Sequence, residues 1–73
     1  MEFPIYKIGD FVSFIYERKI VTGRIVVVDY FGTIEQQKEP SYDIFDNENN
    51  ITYKHIIQSC LIGKTRRKQN ARN

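Results

Sequence analysis

A chain of 73 residues and 8.7 kDa allows one domain, and 41% apolar with 27% charged residues reads as globular rather than disordered. One cysteine, Cys60, excludes an internal disulfide and a cysteine-rich zinc site, and one histidine, His55, excludes a multi-histidine metal centre. The net charge of +2 is unevenly placed: residues 1–63 hold six cations against nine carboxylates, a net −3, whereas residues 64–73 hold five cations and no acid.

Helix chemistry is nearly missing, with a single Ala in the chain, and β-branched and aromatic residues dominate residues 3–62. Gly9-Asp10 is a turn signal ahead of the first predicted strand, 10–16, in which Val12, Phe14 and Tyr16 alternate with Phe11, Ser13 and Ile15. Glu17-Arg18-Lys19 is short and polar and turns the chain into the longest predicted strand, 20–29. Gly23 interrupts that strand and predicts a bulge or sharp bend of the kind that closes small barrels. Beyond it, strict alternation puts Ile25 and Val27 on one face with Asp29, and Arg24, Val26 and Val28 on the other.

Tyr30 to Pro40, with Gly32 as a turn signal, reads as a loop. A strand at 41–46 follows, with Tyr42 and Ile44 on one face. Asn47-Glu48-Asn49-Asn50 makes a tight turn, because Asn tolerates left-handed backbone angles. The returning strand is 50–56. Ile57-Gln58-Ser59-Cys60 breaks the alternation and suits one helical turn, after which Leu61-Ile62 is a last short strand ended by Gly63. The expected fold is all-β, a small five-stranded antiparallel barrel over residues 1–63 with a disordered, flexible basic tail at 64–73. Val12, Phe14, Ile25, Val27, Tyr42 and Ile44 are its expected core.

The order of these pieces resembles the SH3-like small barrels, and within them the Tudor and KOW-type modules, over residues 6–63. The resemblance rests on Lys7-Ile8-Gly9-Asp10-Phe11-Val12 entering the first strand and on Thr22-Gly23-Arg24-Ile25-Val26-Val27-Val28-Asp29 as a bent second one. Tyr42-Asp43-Ile44, the Asn-rich turn, Ile51-Thr52-Tyr53-Lys54-His55-Ile56 and Leu61-Ile62 complete it. In style the chain also resembles small proteins of phages and mobile elements. The family implies binding of peptides, modified side chains or nucleic acid, and does not imply catalysis.

Catalysis has little support in the residues themselves. His55 and Cys60 make a nucleophile–base pair on paper, but no orienting acid or oxyanion loop accompanies them. The bland alternative is a small buried Cys and an ordinary strand His. The carboxylates have no metal-loop spacing. Gly9, Gly23, Gly32 and Gly63 lie too far apart for a phosphate loop. We therefore expect no enzyme, no cofactor and no metal.

Ten aromatic residues, five Tyr and five Phe, exceed the needs of so small a core. Phe11, Phe14, Tyr42 and Tyr53 have core or rim spacing, whereas Tyr16, Tyr30, Phe31 and Phe45 fall at strand ends or in loops. The Tudor-like resemblance would bring Tyr16 and Phe45 together with Asn47 to Asn50 at one mouth, where rings hold a cation or stack a base. The alternative is that the rings cap the barrel ends. The tail offers Lys64, Arg66, Arg67, Lys68 and Arg72 either as a solubilising end or as a basic arm for nucleic acid or an acidic partner.

A folded body of net −3 tracks phosphates poorly unless its few cations cluster. The sequence therefore predicts a protein-interaction module, an adaptor or inhibitor that covers a partner's surface. The alternatives are a nucleic-acid-binding module that uses the tail and a structural oligomer joined through its edges. The longest wholly apolar run, Ile25 to Val28, is far short of a membrane span, and no start of the secretory kind precedes it. These features predict no membrane partner and a cytoplasmic location.

Overall fold

The computed structural model describes residues 3–30 and 39–66. Phe31 and the tail residues Arg67, Lys68 and Arg72 lie outside the described residues, as does the disorder predicted for most of the tail. Five strands follow in order: β1 (Phe11–Tyr16), β2 (Lys19–Asp29), β3 (Ser41–Asp46), β4 (Ile51–Ile57) and β5 (Leu61–Lys64). The helical turn expected after β4 is a 3₁₀ turn at Gln58–Cys60. The strands form one antiparallel sheet in the order β4-β3-β2-β1-β5. The fold is all-β and compatible with an SH3-like arrangement.

The expected closure into a barrel does not occur. The sheet ends at β4 on one side and β5 on the other, and among the described residues no ladder joins them. β5 has four residues, which leaves little length for a ladder with a second partner. The sheet curls instead. Val12 and Phe14 of β1, Ile25 of β2, Tyr42 and Ile44 of β3, Ile56 of β4 and Leu61 of β5 all enter one core cluster. Burial of each such side chain stabilises by about 1.5–3 kcal/mol.

The N-terminal segment is tied to the 3₁₀ turn between the two edge strands. The buried Gln58 amide grips it: Oε1 accepts the Ile5 N–H at 3.1 Å and Nε2 donates to the Phe3 carbonyl at 3.3 Å. The Tyr42 hydroxyl also donates to Gln58 Oε1. Desolvation at the buried Tyr42 ring pushes its hydroxyl above the ordinary phenol pKa.

β2 changes partners along its length. Lys19 to Arg24 pair with β1, and Arg24 to Asp29 pair with β3. Gly23 stands at this handover. A Cβ there would lie 2.6 Å from the Phe45 carbonyl oxygen and 2.8 Å from Ile44 Cγ2. Close approach of β3, rather than a left-handed backbone angle, requires the glycine.

Five of the six expected core residues are fully buried; Val27 is 45% exposed. Ile25 pairs with Ile44 and Val27 with Asp43, so Val26 is an extra residue that inverts the alternation behind it. Val28 packs on the core in Val27's place. A second shift comes in β4, where Ile44 pairs with Tyr53 but Tyr42 with Ile56. His55 takes φ 61° there, and its N–H donates to Asp43 Oδ1 at 3.1 Å. It is a bulge residue, not an ordinary strand position. β5 also runs past Gly63, and Thr65 N–H still donates to the Phe11 carbonyl at 2.8 Å, so the first residues of the basic stretch belong to the sheet edge.

Candidate functional site

The aromatic residues singled out in the sequence fall in separate places. Tyr16 continues the core face of β1 past Phe14. Its ring meets Tyr53 edge-on at 4.8 Å, and Tyr53 in turn meets Phe14 at 5.3 Å. Phe45 neighbours the buried Ile44 and so takes the opposite face, across from Arg24 and Thr52. Tyr16 and Phe45 therefore stand on opposite sides of the sheet. Tyr30, just past β2, is 60% exposed.

Tyr30 joins residues that alternation within strands could not supply. A groove of ≈ 380 Å³ is lined by Tyr6, Lys7, Ile8, Val28 and Tyr30. Its two walls are the turn before β1 and the end of β2. The Gly9 N–H donates to the Ile25 carbonyl at 2.9 Å, and the Ile25 N–H donates to the Asp10 carbonyl at 2.9 Å. The turn itself needs Gly9, which has φ 97°. Tyr6 is set edge-on against the buried Tyr42 at 5.8 Å, so its ring is held in place. The Lys7-Ile8-Gly9-Asp10 turn was visible in the sequence, but the backbone bonds that lay it against β2 were not.

One of the groove's lining residues, Lys7, belongs to a small charge cluster. Asp10 Oδ1 lies 3.3 Å from Lys7 Nζ and 3.7 Å from Lys64 Nζ, so two ammonium groups converge on one carboxylate. Asp10 Oδ2 accepts the Lys7 N–H at 3.0 Å and braces the turn. That backbone hydrogen bond, followed by the Lys7 side-chain bond and the Lys64 and Lys7 charges, holds the Asp10 carboxyl below its usual range despite an opposing desolvation effect. A depressed carboxylate contributes stability above its unfolded pKa and loses it as pH falls through the folded value. This contribution is therefore complete at neutral pH and disappears only in acid.

The face of the β1–β2 hairpin turned away from the core has a different character. Ile15 and Ile20 are register partners there, 53% and 71% exposed. Beside them Ser13 Oγ and Thr22 Oγ1 share a hydrogen bond at 3.0 Å. From the Glu17-Arg18 turn to Arg24 this face carries no charged side chain. His55 is exposed, with Asp43 bound to its backbone rather than its ring, and Cys60 packs partly against the core. Among the described residues no helix is long and apolar enough to cross a membrane. No protein-family model, no curated protein and no solved structure matches this chain.

Proposed function

We propose that this chain is a small non-enzymatic protein-interaction module, an adaptor or inhibitor that works by covering a partner's surface. The observation that carries this reading is the exposed Ile15–Ile20 pair on the outer face of the β1–β2 hairpin. Single exposed isoleucines are ordinary, but a cross-strand pair on an uncharged face is a patch that gains by being covered. Arg24 at its margin and Phe45 beside Arg24 add residue types that interfaces favour. The SH3-like strand order supports a Tudor- or KOW-like reading of the scaffold. Tyr16 and Phe45 belong to different surfaces, so at most one of them contacts the partner on this face, and it is Phe45.

The test is affinity capture with the intact protein and with Ile15→Lys and Ile20→Lys, each with and without nuclease. Both substitutions are on the surface and leave the core unchanged, so the fold should persist. A partner protein retained after nuclease and lost with either substitution supports the reading. Loss of every captured protein to nuclease, or indifference of all that remain to both substitutions, overturns it. Light scattering separates a foreign partner from a second copy: a dimer that becomes a monomer in Ile20→Lys would make the oligomer the correct answer.

A further inference from the structure

The sequence gives a body of net −3, which argues against nucleic acid unless its cations cluster. In the fold two of the described cations share one carboxylate, and a third follows close behind in the chain. Lys7 and Lys64 share the Asp10 carboxylate, and Arg66 follows one residue after Thr65, which is tied to the Phe11 carbonyl beside Asp10. Lys7, Lys64 and Asp10 together carry a net +1, to which Arg66 adds along the chain, while Asp29 stands between Val28 and Tyr30 in the sequence. Lys7 also lines the groove that holds Tyr6 and Tyr30, so it joins the Asp10 charge cluster to the rings.

We propose that this groove binds single-stranded nucleic acid, with a base stacked on Tyr30 beside Tyr6 and the adjoining phosphates on Lys7, Lys64 and Arg66. The proposal is independent of the Ile15–Ile20 patch, which lies on the other face of the sheet. Three features select this occupant. The floor is apolar and offers ring faces, Tyr30 exposed and Tyr6 anchored by Tyr42, which every base can stack on regardless of sequence. Lys7 lines the groove and Lys64 shares its carboxylate, and such cations suit phosphates. The groove lies at the end of β2, a strand inside the sheet, so an extended peptide would find no free ladder there; peptide addition needs the edges, β4 or β5. The cations alone would also suit an acidic peptide, so that class is an outcome of the test.

The experiment is a fluorescence-anisotropy titration of the full chain with a labelled oligothymidylate of about twelve nucleotides, a length within the usual site sizes, over a series of salt concentrations. Polyglutamate of similar length is the competitor. Tyr30→Ala should weaken binding about tenfold and leave the log–log salt slope unchanged, because a base contact releases no counterion. Tyr30→Phe should restore it. Lys7→Gln combined with Lys64→Gln should flatten the slope by about 1.4, the single-strand increment for two phosphates. Circular dichroism of each variant checks that the sheet is intact. The proposal is overturned if the oligonucleotide fails to bind at low salt, or if polyglutamate displaces it as well as unlabelled oligonucleotide does. It is also overturned if Tyr30→Ala and the lysine pair leave binding intact while Arg67→Gln, Lys68→Gln and Arg72→Gln together abolish it.

Discussion

The two hairpins of this sheet are built to different standards. The turn between β3 and β4 is held by its own side chains. Asp46 Oδ1 accepts the backbone N–H groups of Glu48 and Asn49 at 3.0 and 3.4 Å, and Asp46 Oδ2 accepts Asn49 Nδ2 at 2.8 Å. Asn50 takes the left-handed angle that Asn tolerates, φ 57°. The turn between β1 and β2 has two central residues, Glu17 and Arg18, both left-handed at φ 50° and 68°, where Asn-Gly would be the usual choice. Each such residue costs roughly 1–2 kcal/mol. The strained turn also joins the two strands that carry the exposed Ile15–Ile20 pair. A turn that departs from local preference beside an exposed apolar pair is a local exception to the agreement between sequence and fold seen at the other turn.

The largest effect is expected where the two hairpins meet. Gly23 belongs to the first hairpin and is overlapped by Phe45 and Ile44 of the second. Gly23→Val drives a branched side chain into a backbone carbonyl that cannot turn aside, and should cost about 3 kcal/mol or more. Urea denaturation measures it. An unchanged midpoint would mean that β2 and β3 are not as close as 2.6 Å to that Cβ position implies, and the hairpins would then be only loosely joined.

Asp46→Ala is the next test and acts on the well-made turn alone. The Asp46 residue is buried, and its carboxylate accepts from two backbone amides and a side-chain amide. Removing it returns those donors, in an exposed turn, to water and loses the cap, which should cost about 2 kcal/mol. The same substitution at Glu17, whose side chain lacks such a role, should change stability by less than about 0.5 kcal/mol. Equal losses at the two sites would erase the contrast between the turns.

Much of this architecture was legible, and the exceptions share a cause. Turn chemistry placed the breaks at Gly9-Asp10, Glu17-Arg18 and Asn47 to Asn50, and alternation placed Val12, Phe14, Tyr42 and Ile44 in the core. Alternation carries phase only when polar residues mark it. In Ile25-Val26-Val27-Val28 every residue is apolar, so the extra residue at Val26 leaves no trace and Val27 is assigned to the wrong face. In β4 a trace existed: Tyr53 and Ile56 both face inward three residues apart, which a regular strand cannot do. The groove was illegible for another reason. Tyr6 and Lys7 precede any periodic segment, and they meet Val28 and Tyr30 through the backbone bonds of Gly9 and Ile25 and the packing of Tyr6 on Tyr42. The open sheet was hidden as well, because strand count and length do not reveal whether the two edges pair.

The strained turn gives a prediction of opposite sign. Glu17→Asn with Arg18→Gly replaces two residues that resist positive φ with the pair that prefers it. The double variant should gain about 1–2 kcal/mol, somewhat offset by the extra freedom of Gly in the unfolded chain. The melting temperature reads this directly. A loss of stability would show that Glu17 and Arg18 hold the turn by side-chain contacts that outweigh their backbone cost. A gain accompanied by weaker partner capture would tie the strain to binding.

The smallest effect concerns the entrance of the well-made hairpin. Ser41 opens β3, pairs with Asp29 on one side and Ile57 on the other, and is buried. Its Oγ has no hydrogen-bond partner among the described residues. A buried hydroxyl without a partner has given up its water for nothing, so replacing it with a methyl should help rather than harm. Ala is smaller than Ser by one oxygen, and the space left is too small to form a cavity of consequence. Ser41→Ala should therefore raise stability by about 0.5–1 kcal/mol, measured as a shift in the urea midpoint at unchanged m-value. A loss of about 1 kcal/mol or more would mean that the hydroxyl is bonded in the folded protein, and β3 would then begin with a polar anchor like the one Asp46 supplies at its other end.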